Sequence, residues 1–234
     1  MTSLVLLAAM VLAAGTAANA AANIYGVSGL IETPDDSIVA PKTLELTGHY
    51  ISDLDSTGAN QKTFGGAFGI MSRFEVSAVG IDPDIIGLDT KVIINAKYKI
   101  IDEALERPSI TVGVVDLGKN LEDYNSDIDK ASVFVVFGKN ISPVAEGFSG
   151  MVSKPVRGTL GFGTGIYKGV FAGLSWSLAP KIDVLAEYLS EGIRQKSTVN
   201  AALRFSPVRP VSVQAGTHAF KSFYVGATFN LAAY

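Results

Sequence analysis

Three groups of residues in this 234-residue sequence have the chemistry for a functional site: two histidines, three pairs of aspartates, and charged residues recurring at every second position of apolar segments. His49 and His218 are the only imidazoles, and there is no cysteine, which excludes thiolate nucleophiles, Cys-based metal sites and a disulfide framework. A hydrolytic role for a histidine needs a nucleophile within hydrogen-bond reach, and none of the serines sits in a nucleophile motif. His49 follows Glu45 and Thr47 at even spacing and reads as an inward hydrogen-bonding residue, while His218 reads as part of the loop before the last strand. The pairs Asp53/Asp55, Asp82/Asp84 and Asp127/Asp129 offer the hard oxygens that Ca²⁺ or Mg²⁺ prefer. Solvated loop aspartates explain them equally well, so no metal site is assigned. Gly161-Phe162-Gly163-Thr164-Gly165 has glycine spacing like that of a phosphate loop, but no helical pattern follows it, and it reads as a glycine-bent strand end. No catalytic residue or cofactor is read from these patterns, and an enzyme is not expected.

The third group is the most informative. Glu45, Glu75, Lys91, Lys97, Lys99, Arg157, Asp183, Glu187 and Arg204 fall on the polar side of alternating segments. Val92, Ile94, Ala96, Tyr98 and Ile100, for example, interleave with Lys91, Ile93, Asn95, Lys97 and Lys99. A helix would spread these lysines around its whole circumference, whereas a strand sends them to one face. The mixed signs permit a salt-bridged interior and argue against a strongly ion-selective pore.

These residues need strands to position them. The same alternation recurs from Thr43 to the end of the chain and gives about twelve strands (ten to fourteen possible) of roughly 7–11 residues, close to what a tilted strand needs to cross a bilayer. Tight turns at Met71-Ser72-Arg73, Ala179-Pro180-Lys181 and Ser206 to Pro210 alternate with longer polar loops, as in outer-membrane barrels. Lys139 to Pro155 is long for a turn and Thr164 to Lys168 short for a loop. Ten aromatics (Tyr50, Phe64, Phe74, Tyr98, Phe137, Phe162, Trp176, Tyr188, Phe205 and Phe223) lie near strand ends, where an interfacial girdle would place them. A composition of 48% hydrophobic and 18% charged residues, with mean hydropathy +0.32, is too apolar for a fully water-facing surface. The net charge of −3 offers no field for nucleic acid. The expected fold is therefore all-β, an antiparallel transmembrane β-barrel over residues 43–234 in the cell outer membrane, with lipid, lipopolysaccharide and the barrel assembly machinery as partners.

Leu4 to Ala14 is an apolar run followed by Ala18-Asn19-Ala20, the pattern of a secretory signal spanning residues 1–20 and cleaved after Ala20. Residues 21–42 read as a periplasmic or lumen-plugging segment. Gly226, Phe229, Leu231 and terminal Tyr234 resemble the C-terminal assembly signal of outer-membrane barrels. In the strand Lys91 to Ile100, Ile94 is expected to face lipid and Asn95 the lumen, so that arginine is costly at Ile94 and far milder at Asn95.

The segments Gly26-Val27-Ser28-Gly29-Leu30-Ile31-Glu32-Thr33-Pro34, Gly169-Val170-Phe171-Ala172-Gly173-Leu174, Ala186-Glu187-Tyr188 and Asn200-Ala201-Ala202-Leu203-Arg204-Phe205 resemble, in that order, the YjbH-like outer-membrane proteins linked to exopolysaccharide. That resemblance implies a structural or transport-associated role in polysaccharide export, with export proteins as partners. The alternatives are a porin-like general diffusion channel and, after it, an outer-membrane lipid-directed hydrolase.

Overall fold

The computed structural model describes residues 21–53, 59–85, 87–124, 128, 130–142, 155–191 and 196–232. Twelve antiparallel strands follow one another around a closed barrel: β1 Thr43–Ile51, β2 Gln61–Met71, β3 Phe74–Pro83, β4 Lys91–Ile101, β5 Ser109–Val115, β6 Ser132–Asn140, β7 Val156–Gly163, β8 Gly169–Ala179, β9 Ile182–Leu189, β10 Thr198–Val208, β11 Val211–His218 and β12 Ser222–Ala232. Closure is made by β1 and β12, in register from Thr43 opposite Ala232 to Ile51 opposite Tyr224. No strand edge is left open, which is the condition for a sheet to cross a bilayer.

The outer face carries the apolar half of each alternation. Phe64, Val92, Ile94, Val133, Leu203 and Phe223 are all more than half exposed, an arrangement that only lipid solvates favourably. This is an outer-membrane β-barrel. The ten strand-end aromatics divide by position into two bands of five: Tyr50, Phe64, Phe162, Tyr188 and Phe223 at one rim, and Phe74, Tyr98, Phe137, Trp176 and Phe205 at the other. The second rim carries the tight turns after β2, β8 and β10 and the start of β1, and is the periplasmic one by that architecture.

Three local readings differ from expectation. β10 runs through Ser206 and Pro207 to Val208, absorbing the proline with a register shift after Phe205, so the turn there is only Arg209-Pro210. His218 ends β11 and is buried. Thr164 to Lys168 is short because it folds inward: a 3-10 turn at Gly165–Tyr167 buries Ile166 and Tyr167. Among the designated assembly residues, Phe229 and Leu231 face outward on β12 while Gly226 faces inward against His49. Tyr234, residues 1–20 and the aspartates Asp55, Asp127 and Asp129 lie outside the described residues.

Inside the barrel, ring-over-glycine packing fixes the β5–β8 wall. A Cβ at Gly161 would sit 2.1 Å from the Phe171 ring, and one at Gly113 2.3 Å from the Phe134 ring. Both rings pack on Tyr167, with centroids 5.4 and 5.6 Å away. Gly161→Ala must therefore displace Phe171 and is expected to cost about 1–3 kcal/mol, measured as a lowered midpoint in urea unfolding from detergent micelles.

Candidate functional site

The inward faces converge on one object, the chain's own residues 21–41. Every residue from Ala21 to Pro34 is buried, and the segment's partners come from β1, β3, β4, β5, β7, β9, β10 and β11, that is, from all around the barrel. It therefore lies in the lumen. The segment folds on itself through two short antiparallel bridges, Ala22 with Ser28 and Gly29 with Pro34. The first turn needs Gly26 at φ +84°, where the backbone presses against Val79 and a side chain would be strained.

Acidic side chains of the wall accept hydrogen bonds from the segment's backbone. Glu187 on β9 takes the amides of Ile31 (3.2 Å), Glu32 (2.8 Å) and Thr33 (2.9 Å) and the Thr33 hydroxyl (2.7 Å). The Asn200 side-chain amide donates at 2.6 Å to Glu187 Oε1, the oxygen that also takes the Glu32 amide. Glu75 on β3 accepts from the Ser28 amide and hydroxyl at 3.0 and 2.6 Å and from the Val39 amide at 2.8 Å. Glu45 on β1 accepts from the Ala22 amide at 2.6 Å. Basic side chains take the carbonyls: Lys97 donates to Ser28 at 2.7 Å, and Arg204 to Gly29 and Leu30 at 3.1 and 3.4 Å. Turns of the segment that cannot pair in a sheet thus find their obligatory partners on the wall.

The remaining designated charges lie nearer the rims. Arg157 forks onto Asp36 of the segment and also holds Glu103 at 2.8 Å. Lys99 stands 4.0 Å from Asp36. Asp183 accepts from Ser177 at 2.7 Å and, with Lys99, Arg157 and Arg204, lines a cavity of about 600 Å³ at the periplasmic end. Lys91, at the far end of β4, is half-buried.

His49 is enclosed, with Nδ1 2.9 Å from the Tyr224 hydroxyl and Nε2 2.8 Å from the Thr47 hydroxyl. His218 meets Glu32 at 3.0 Å. Asn95, expected to face a wet lumen, instead donates to the Tyr25 carbonyl at 2.7 Å and to the Ser77 hydroxyl at 3.0 Å, and accepts from the Asp116 amide at 3.0 Å.

A second set of inward residues escaped the sequence reading. Ile51, Val79, Ile81, Ile93, Val115, Phe134, Phe171, Leu185 and Leu189 form an apolar cluster with Ile24, Tyr25, Val27, Leu30 and Ile31 of the segment. The available signal was the occurrence of apolar residues on both faces, as in Val92-Ile93-Ile94 and Val133 to Phe137, which a water-filled lumen does not require.

Burial pushes the Asp36 carboxyl upward, but the hydrogen bonds and charge of Arg157, the Ser109 hydroxyl and the charge of Lys99 outweigh it, leaving the group below its ordinary 3.8. A carboxyl lowered on folding contributes stability that is complete above the ordinary value and is lost as pH falls through the lowered one. Asp36→Asn is expected to destabilise the barrel at pH 7, with the gap narrowing as pH falls through the lowered value of the Asp36 carboxyl, read from urea unfolding of both proteins across pH 2–7.

No family model and no curated protein matches the sequence. Among solved structures, the chain is similar to the KdgM porin at 10% identity, with TM-score 0.50, covering 82% of this chain and 99% of that one. The Acinetobacter baumannii outer membrane protein Omp33 aligns at 9% identity, TM-score 0.49, over 84% of this chain and 100% of that one. The NanC porin aligns at 10% identity, TM-score 0.46, over 80% and 98%. The fold is that of a small porin-like barrel. The similarity in fold to the KdgM porin overturns the YjbH-like resemblance and the polysaccharide-export reading attached to it. Its motifs are short glycine-punctuated pieces that the packing of this barrel itself requires, such as Gly26 against Val79 and Gly173 against Leu30.

Proposed function

We propose that this protein is a small outer-membrane diffusion channel closed at rest by its own residues 21–41. The observation that carries the reading is the use of the inward charges. Glu45, Glu75, Lys97, Glu187 and Arg204 each bond backbone groups of one segment that continues directly into β1. The two-signed charged part of the wall, beside its apolar cluster, suits water and small hydrophilic solutes once the segment moves, with little ion selectivity. The porin-type fold supports the same reading. Hydrogen bonds and ion pairs can be exchanged for water, so the segment is a releasable occupant in a way that a wholly apolar core would not be.

Proteoliposome swelling tests this. Vesicles carrying the chain from Ala21 onward should swell slowly in isosmotic neutral sugars, and vesicles carrying the same barrel without residues 21–40 should swell at least tenfold faster. Equal, slow swelling by both would end the channel reading.

A further inference from the structure

One stretch of the lumen wall is left with buried polar atoms that find no partner in the described structure. Glu45 Oε2 on β1, Arg204 Nε on β10, and Ser212 Oγ and both amide atoms of Gln214 on β11 have none. Glu45, Ser212 and Gln214 are each no more than 2% exposed. Orphaned groups so deep in a protein are rare and costly. They are neighbours: Gln214 lies opposite Arg204 across β10 and β11, and Ser212 lies opposite Thr228, which in turn faces Thr47 of β1.

At Glu45 and Arg204 this stretch meets the beginning of the lumen segment. The Ala22 amide is on Glu45 Oε1 at 2.6 Å. The Ala21 carbonyl accepts from the Gly29 amide at 2.8 Å, and the Gly29 carbonyl in turn accepts from Arg204. Ala21 is thus pinned between β1 and β10, with its nitrogen one residue from the Glu45 carboxylate. As a peptide nitrogen it has one proton to give and no charge. As a free α-ammonium it has three donors and the charge a buried carboxylate calls for.

We propose that removal of residues 1–20 completes this site: the new α-ammonium of Ala21 pairs with Glu45 and donates to Ser212 and Gln214, adding one more anchor to the lumen segment in the processed chain. The bond broken is the Ala20–Ala21 peptide, hydrolysed by water, which leaves a carboxylate on the leader and the amine on the barrel. Arg204, the other cation of this stretch, donates to the Gly29 and Leu30 carbonyls. An uncleaved chain carries an amide there and cannot make the pair.

The test uses protein purified from outer membranes and folded in detergent, and it requires no conduction, so its outcome is separate from that of the channel reading. Peptide mass spectrometry should give Ala21 as the first residue. Reductive methylation with formaldehyde and cyanoborohydride at pH 7 should modify the Ala21 amine at least tenfold more slowly in the folded protein than after denaturation. Glu45→Gln, which keeps the shape and removes the charge, should speed modification of the folded chain at least tenfold, because burial alone favours the unprotonated, reactive amine while the pair favours the protonated one. Should that variant fail to fold, one glycine added before Ala21 leaves Glu45 and every strand intact and should give the same acceleration. A first residue other than Ala21, an unprotected Ala21 amine, or equal rates in the parent and the folded variants would each overturn the proposal.

Discussion

Glu187→Ala is expected to release the middle of the lumen segment and to lower the stability of the barrel by about 3–5 kcal/mol, because several buried donors lose their acceptor at about 1–3 kcal/mol each. The Glu187 carboxylate gathers the consecutive amides of Ile31, Glu32 and Thr33, the Thr33 hydroxyl and the Asn200 amide. Alanine leaves those donors buried without an acceptor, and water can reach them only if the segment lifts. The loss propagates to Glu32, which Asn200 and His218 hold from the neighbouring strands. Glu187→Gln retains one acceptor oxygen and should fall between alanine and the parent. Urea unfolding followed by Trp176 fluorescence, together with limited proteolysis within residues 21–41, reads both effects. Parent-like stability and an uncut segment in Glu187→Ala would remove this residue as an anchor.

Arginine at Ile94 and at Asn95 should both be damaging, for opposite reasons. Ile94 is 54% exposed on the outer face, so a charge there meets lipid and costs about 2–4 kcal/mol near the midplane. Asn95 is fully buried. The longer side chain would break three hydrogen bonds, to Tyr25, Ser77 and Asp116, and push against the segment at its Gly26 turn, a loss of about 3 kcal/mol or more. The milder outcome at Asn95 that alternation alone suggests would require a wet lumen at that depth. Deleting residues 21–40 should restore tolerance at Asn95 and leave the cost at Ile94 unchanged. Refolding yields into lipid vesicles of the two variants, with and without the segment, distinguish these cases.

The strands were legible because each shows its own two-residue period. Lys91 to Ile100 displays the lipid face and the inner face within ten residues. Tight turns were legible where proline or basic residues punctuate them, as at Ala179-Pro180-Lys181. The inner face was not legible beyond its charges, because what it meets is non-periodic: residues 21–41 have turns in place of a repeat, and their partners lie as far away as Glu187. The inward direction of Glu187 could be read, but that it caps three successive amides could not. His218 was misplaced because the strand ending on it is closed by a short turn, Ala219 and Phe220, both at positive φ without glycine. The Gly26 to Pro34 segment carried the misleading family resemblance, and it is the part of the sequence whose composition is set by fitting inside this barrel.

Closure by the chain's own N-terminal segment is tested most directly by single-channel current in planar bilayers. The barrel from Ala21 onward should insert and pass almost no current, Glu187→Ala should show intermittent openings, and the barrel lacking residues 21–40 should pass steady current with weak ion preference. Steady current through the intact barrel would contradict closure, and silence from the shortened one would contradict the channel.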